Sequence, residues 1–339
     1  MYLIVKGVLP TMKRKILDML KESRNEFVSG QYISDELGIS REAVHKYMNQ
    51  IKNEGYTVEA VSRKGYRLVS VPDLLTYEEI KKNLHTKYMG RKIVYFDTID
   101  STNIKAKALA ASGESEGTVV IAETQVFGRG RLGKNWTSPK YKGIWMSVIL
   151  KPDIEPVHAA KVTLAGAAAV QKTMMNMGIH SKIKWPNDLV LNNKKICGIL
   201  TEMNCELNKI NYIIIGSGIN VNIDTCDFTE EIRNTATSLK IETGKTFSRQ
   251  EIAADIMNNF EMFYDEFKNE GSIKHSVELC RENSALLGED IKIINAGKET
   301  KAKALDINDE GELVVKYEDG KIGNIIAGEV STRGLYGYV

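Results

Sequence analysis

The chain has only four cysteines and five histidines in 339 residues, and no two cysteines stand as C-x-x-C. Cys197, Cys205, Cys226 and Cys280 therefore offer neither a disulfide framework nor zinc-ligand spacing; no metal site is read from the sequence, and reduced thiols in a cytosol are the default. No apolar run approaches the ~18 residues of a membrane span, which excludes a membrane-embedded body and leaves no reason to expect a membrane partner. The stretch up to Pro10 is too short for a secretory signal and lacks a small-residue cleavage site, so a cytoplasmic location is expected. It also lacks a helical period, and residues 1–11 read as an extension of the core protein. Low-complexity tracts and long repeats are missing too, which excludes solenoids and arrays.

What is present is enough apolar sequence, 42%, for real cores. The length exceeds one ordinary domain, so two or three are expected. The net charge of +2 is uneven: residues 1–70 carry +4 and the remainder −2. A basic module on a near-neutral body points weakly to a polyanion partner for that module.

Residues 12–23 have the period of an amphipathic helix, with Ile16, Leu17, Met19 and Leu20 on one face. Ser29 caps a second helix that Gly38 closes, and Ser40 caps a third. Ile33, Leu37, Ile39, Val44, Met48 and Ile51 form their shared inner face. Two β-runs, Tyr56–Val61 and Tyr66–Val69, flank Ser62-Arg63-Lys64-Gly65. This is a helix-turn-helix followed by a wing. Arg41, His45, Lys46 and Asn49 face outward on the third helix, and Arg63 and Lys64 sit at the wing tip, which suits contacts to phosphates and base edges. A small helical module that binds protein is the alternative. Residues 70–75, with Pro72, read as a linker, and Thr76-x-x-Glu79 as a capping box starting a helix to about His85. The first domain is thus 1–75.

The most distinctive stretch is Gln125-Val-Phe-Gly128-Arg129-Gly130-Arg131-Leu132-Gly133-Lys134-Asn135-Trp136. Gly128, Gly130 and Gly133 satisfy G-x-G-x-x-G, and Gly128 to Lys134 satisfies most of a Walker A, with Asn135 where Ser or Thr would hold magnesium. Both motifs need a helix next. Asn-Trp-Thr-Ser-Pro follows instead, which is turn chemistry. What remains is a flexible cationic loop that can offer backbone N–H groups and arginine forks to an anion. Upstream, a β-run at 91–96 leads through Ser101, Thr102 and Asn103 into an Ala/Lys helix. These three either cap the helix or aim polar groups at a small ligand; capping explains only one of them. Downstream, strands at 118–123 and 143–150 precede a long Ala-rich helix over 156–178. Short β-runs then carry Lys184-Trp185-Pro186-Asn187-Asp188 and Lys194-Lys195-Ile196-Cys197-Gly198, with a hairpin tip at Asn192-Asn193-Lys194. Lys184 and Lys195 either lie on the surface or, if half-buried, need an anionic partner. Helices over 248–269 and 271–287 follow. From Gly288 the chain alternates as short strands, a small SH3-like β-barrel over 288–339.

Taken in order, Ser101-Thr102-Asn103, Gln125 with Gly128-Arg129-Gly130-Arg131-x-Gly133, Lys184-Trp185-Pro186-Asn187-Asp188, Lys195-x-x-Gly198-Ile199-Leu200-x-Glu202, Gly216-x-Gly218-Ile219-Asn220 and Gly328-Glu329-Val330-Ser331 resemble the biotin protein ligases that double as repressors. The resemblance spans about Met12 to Arg333. It implies an α+β protein: a winged helix-turn-helix, a mixed-sheet catalytic domain of the class II synthetase kind over 76–287, and the SH3-like module. It implies biotin, ATP and Mg2+ as reactants, with a biotinyl-5′-adenylate passed to a lysine of a biotin carboxyl carrier domain. It also implies operator DNA as partner and a homodimer in the adenylate-bound state. By position, Ser101, Thr102, Asn103, Gln125, Arg129, Gly130, Arg131, Lys195 and Gly198 would serve biotin. Arg131, Trp136, Lys184, Asn187, Asp188 and Asn220 would serve the nucleotide, and Lys195 and Arg129 would be catalytic. Leu132 departs from relatives that have a further arginine there, and 223–236 offers no motif to assign. A lipoate or octanoate ligase, and a biotin-sensing repressor without catalysis, are the rival readings.

Overall fold

The computed structural model describes residues 12–23, 26–53, 56–71, 73–206, 209–295, 298–326, 331–334 and 338. Expectations about residues 1–11, Pro72 and Gly328-Glu329-Val330 lie outside them. The chain divides into two compact units between Asp73 and Leu74.

The first unit contains α1 (Met12–Glu22), α2 (Gly30–Leu37), α3 (Arg41–Asn53), β1 (Thr57–Val61) and β2 (Gly65–Ser70). Local chemistry sets its boundaries. Ser29 accepts from the Tyr32 N–H, and Gly38 leaves α2 at φ 64°, where glycine avoids a Cβ penalty. Ser40 Oγ accepts from Ala43 N at 3.1 Å. Ile33, Val44, Met48 and Ile51 are buried with Ile16, Leu17 and Leu20 of α1, and Leu37 and Ile39 pack against them. β1 and β2 pair antiparallel around the exposed tip.

The second unit opens with α4 (Tyr77–Ile80), then β3 (Ile93–Phe96), α5 (Thr102–Ala111), β4 (Val119–Ala122), β5 (Gly143–Leu150) and α6 (Ala159–Asn176). β6 (Lys182–Lys184), β7 (Asp188–Leu191), β8 (Lys194–Glu206) and β9 (Lys209–Asn220) follow, then α7 (Leu239–Thr243), α8 (Arg249–Glu270) and α9 (Lys274–Glu282). Among the described residues the central sheet has seven strands in the order β3-β4-β5-β9-β8-β7-β6. β3 and β4 are parallel, and the other pairs are antiparallel. Side chains alternate across it. Val119, Ile121, Met146, Val148, Ile213 and Ile215 face the core shared with α6 and α8. Val120, Ile149 and Ile214 face Ala106 and Ala110 of α5. Each such branched side chain contributes about 1.5–3 kcal/mol on burial. Asn192 and Asn193, at φ 49° and 62°, make the two-residue turn between β7 and β8.

β10 (Asp290–Asn295), β11 (Lys298–Ile307), β12 (Leu313–Tyr317), β13 (Ile322–Ile325) and β14 (Ser331–Gly334) form a five-stranded antiparallel sheet in the order β13-β12-β11-β10-β14. β14 was not read from the sequence, and neither was the short α7.

Two helices end earlier than the sequence implies. α4 stops at Ile80 and runs on as a 3-10 turn only to Asn83, and Thr76 makes no side-chain capping bond. Asn258 on α8 instead donates to Asn83 O at 2.8 Å and accepts from His85 N at 2.8 Å, so tertiary partners satisfy the backbone that a longer helix would have used. α9 stops at Glu282 because Asn283 O and Ala285 N pair with Ile183 of β6, at 2.7 and 2.8 Å. Cys197 and Cys280 are buried; burial pushes the Cys197 thiol well up and that of Cys280 to about 12, so neither is a ready nucleophile. Among the described residues, no helix is long and apolar enough to cross a membrane, and no cluster of His, Cys, Asp or Glu could hold a metal ion unaided.

Candidate active site and winged-helix surface

The cationic loop does not lead into a nucleotide-binding helix. It folds back on itself: Gly130 N donates to Lys134 O at 2.7 Å and Trp136 N to Gly128 O at 2.8 Å. A Cβ at Gly128 would lie 2.4 Å from Trp136 O, so the close crossing needs glycine. Leu132 sits at the tip, 77% exposed with φ 56°. The loop then lays Trp136 on a glycine floor, where a Cβ at Gly218 or Gly198 would stand 2.5 or 2.7 Å from the indole. Gly198 and Gly218 are cross-strand partners on β8 and β9. Trp136 Nε1 is buried and, among the described residues, has no hydrogen-bond partner.

A cavity of about 290 Å³ lies between this loop and the sheet. Its lining includes Ser101, Thr102, Asn103 and Gln125 at one end, and Lys184, Asn187, Asp188 and Asn220 at the other. Arg129, Gly130, Arg131 and Trp136 close one side; Lys195 and Gly198 lie opposite. All of the candidate site residues outside the first unit are thus brought together.

At the first end, the N-terminus of α5 is capped from a distance. Gln125 Oε1 accepts from Thr102 N at 2.9 Å and Thr102 Oγ1 at 3.1 Å, while its amide donates to Ser138 Oγ at 3.1 Å. Ser101 holds the N-cap position without a side-chain capping bond. Its hydroxyl is not used on the helix, contrary to the simplest reading of the sequence. Ser147 Oγ lies 2.8 Å from Thr102 Oγ1 and 2.6 Å from Asn103 Oδ1. Asn103 donates to Glu202 Oε2 at 2.8 Å, and Glu202 pairs with Lys107. Gly216 lets Asn103 approach, since a Cβ there would lie 2.0 Å from its Oδ1. Ser147 escaped notice because its strand reads as uniformly buried.

At the other end, Lys184 is 5% exposed, and its ammonium lies 3.5 Å from the centre of the Tyr338 ring. Lys195 Nζ is 2.6 Å from Asp188 Oδ1 and 5.2 Å from the centre of the Trp136 ring. Lys195 thus has the anionic partner expected of a half-buried ammonium, whereas buried Lys184 lies over an aromatic face. Asn187 donates to Ile199 O at 2.9 Å and Asp188 Oδ1 at 3.0 Å, and accepts from Arg131 Nη1 at 2.7 Å. That last bond ties the loop to the turn between β6 and β7. Burial pulls the Arg131 guanidinium somewhat below its ordinary value, against the pull of Asp188 and Tyr338. Asn220 spends its amide hydrogens on Thr237 O at 2.9 Å and Lys195 O at 3.4 Å, so it positions backbone at the cavity edge.

Two parts of the lining were not assigned from the sequence, the 232–236 segment and Tyr338. Ile232, Thr235 and Ala236 line the cavity. Ile232 and Ala236 also pack with Trp136 around Trp145 and Phe228, and their i, i+4 spacing was the available signal. Tyr338 gave no signal at all, being one aromatic near a β-rich end.

On the first unit, Arg41, His45, Lys46 and Asn49 are exposed on α3, and Arg63 and Lys64 on the wing. Asn49 and His45 lie within 3.4 Å of each other. Lys64 stands 5.8 Å from the Phe27 ring, which leaves its ammonium at the surface.

A cationic loop and two lysines around one cavity, on a chain that begins with a winged helix-turn-helix, fit a ligase-type catalytic domain joined to a DNA-binding type of unit. Family models agree: the HTH domain matches 13–67, the Biotin/lipoate A/B protein ligase family 95–220, and the Biotin protein ligase C terminal domain 286–333. The chain is 41% identical over 312 residues to a bifunctional ligase/repressor of Bacillus spizizenii, covering 91% of this chain and 95% of that one. It is 29% identical over 325 residues to the bifunctional ligase/repressor of Escherichia coli, covering 95% and 98%. The biotin protein ligase of Aquifex aeolicus, solved with biotin and ATP, superposes with a TM-score of 0.62 at 29% identity over 72% of this chain and 99% of that one. The chain belongs to the biotin protein ligase family, with the domain order of its bifunctional ligase/repressors.

Proposed function

We propose that this protein activates biotin with ATP and transfers it to a lysine of a biotin carboxyl carrier domain, and that its winged unit represses transcription at an operator. The observation that carries the reading is the convergence of the arginine loop and the lysine-bearing strands on one cavity. In the first step the biotin carboxylate attacks the α-phosphorus of ATP and pyrophosphate leaves. Two anions must meet, so positioned cations supply the stabilisation, several kcal/mol in comparable sites. Lys195 holds the carboxylate and the developing charge; Arg129 and Arg131 face the phosphate side. Ser101, Thr102, Asn103 and Gln125 orient the biotin head, and Trp136 with Gly198 and Gly218 encloses the adenylate. In the second step the carrier lysine, as free amine, attacks the acyl carbon, loses a proton, and AMP departs. The anhydride is water-sensitive, and a loop that lies over it protects it.

Asp188 is the only carboxylate lining the cavity among the described residues. That donor set fits Mg2+, which is commonly held by one or two carboxylates plus substrate phosphates. Asp188 with the amide oxygen of Asn187 would hold it, and the ion would neutralise phosphate charge.

Incubation with biotin, MgATP and a carrier domain is expected to add one biotinyl mass to a single carrier lysine, read by mass spectrometry. Lipoate in place of biotin should add nothing; a lipoyl gain with no biotinyl gain overturns the assignment. For the repressor arm, we infer that adenylate-bound protein dimerises through the central sheet and presents two winged units to a two-fold site. Gel-shift affinity for the operator should rise when biotin and ATP are both added. Equal affinity with and without them sinks the coupling.

A further inference from the structure

The phosphate end of the cavity is completed by the C-terminal sheet. Residues 331–334 of β14 pair with Ile291–Ile294 of β10, and Tyr338 follows four residues later. Four residues reach at most ~14 Å, so the docking of β14 limits where Tyr338 can stand. It stands in the cavity. Its hydroxyl donates to Asp188 Oδ2, and the Lys184 ammonium lies 3.5 Å from its ring centre. The same sheet holds this strand from a second side. Trp185, next to Lys184, donates its indole N–H to Gly311 O at 3.0 Å, and Gly311 lies in the turn between β11 and β12.

Asp188 shows what the phenol adds. Oδ1 already serves Lys195 at 2.6 Å and the Asn187 amide at 3.0 Å. Oδ2 accepts from the Tyr338 hydroxyl. A carboxylate with both oxygens engaged cannot turn about its last torsion, which is otherwise broad and soft. Holding Asp188 holds Lys195, which the proposed first step uses. Over Lys184 the ring does a different task. It attracts the ammonium by its face and keeps the charge at the cavity wall.

We propose that Tyr338 is a positioning residue of the nucleotide subsite: its phenol orients Asp188 and, through it, Lys195, while its ring orients Lys184 toward the phosphates. This rests on the ligase reading above. Tyr338, beyond β14, and Gly311, in the β11–β12 turn, both reach this end of the cavity from the C-terminal region.

The two contacts can be separated by initial-rate kinetics of pyrophosphate release, with ATP varied at saturating biotin. Tyr338→Phe keeps the ring and removes the hydroxyl; kcat should fall roughly tenfold, the effect of one hydrogen bond to a charged partner, with KM for ATP near the parent's. Tyr338→Ala removes both; KM for ATP should also rise roughly tenfold. Biotin affinity without nucleotide, by calorimetry, should stay within about twofold of the parent for both variants. Parent-like kinetics in both variants overturn the proposal. A fall in KM for ATP in Tyr338→Ala also overturns it, because the side chain would then compete with the nucleotide. So does a loss of biotin affinity as large as the rise in KM, which marks general disruption. A parent protein that releases no pyrophosphate fails at the ligase reading itself and takes this inference with it; an active parent with indifferent variants rejects the inference alone.

Discussion

Lys195→Ala will slow pyrophosphate release from biotin and ATP by about 10²–10³-fold, the loss seen when one preorganised donor is removed from a developing charge. The expectation rests on geometry. Lys195 lines the cavity, with its ammonium on Asp188 and near the face of Trp136. The folded state loses less, because Asp188 keeps the Asn187 amide and the Tyr338 hydroxyl. One hydrogen bond to a charged group lost from a partly solvated pair costs about 1–3 kcal/mol, which thermal unfolding would register separately. Lys194→Ala is the control: its neighbour shares the strand and the charge but does not line the cavity. Its rate should match the parent's. A Lys195→Ala rate within tenfold of the parent, with a normal melting profile, would falsify the role given to Lys195. A parent that binds biotin yet never releases pyrophosphate would favour the non-catalytic sensor instead.

Much of the site's location could be read from residue order, because glycine and lysine announce what they need. Gly128 and Gly130, interleaved with Arg129 and Arg131, read as a cationic loop, and Asn192-Asn193 as a hairpin tip. The helix-turn-helix was legible for the same reason: Ser29, Gly38 and Ser40 carry their structural instructions locally. What stayed hidden depends on partners distant in sequence. Gln125 caps α5 from 23 residues away, and no local pattern distinguishes that from a ligand-binding amide. Thr76 and Glu79 spell a capping box, yet Asn258 and α8 decide how that segment ends. Ser147 turns from an unremarkable strand residue into the junction of Thr102 and Asn103 only when the sheet brings α5 over it. Tyr338 becomes visible only after β14 has found β10.

Arg249→Met will destabilise the second unit by about 3–5 kcal/mol, the cost of leaving one buried charge without its partner. Arg249 and Glu123 are both 0% exposed, and Nη1 lies 2.7 Å from Glu123 Oε2. The guanidinium also donates to Gly143 O at 3.0 Å, at the start of β5, and Glu123 Oε1 accepts from Leu75 N at 2.9 Å. The pair therefore joins α8, the end of β4, the start of β5 and the entry of the chain into this unit. Chemical denaturation should report the loss, and the melting midpoint should fall by roughly 6–20 °C at this domain size. Glu123→Gln in the same chain removes the stranded charge while keeping an acceptor for Leu75 N, so it should restore about half of the stability. A single variant that loses under about 1 kcal/mol, or a double variant no better than the single, means the pair is not what holds these elements. The functional consequence has a direction too. Glu123 is two residues before Gln125, and Gln125 caps the helix that carries Ser101, Thr102 and Asn103. Loosening this anchor should weaken biotin binding more than it raises KM for ATP, the reverse of Tyr338→Ala, because the two residues brace opposite ends of one cavity.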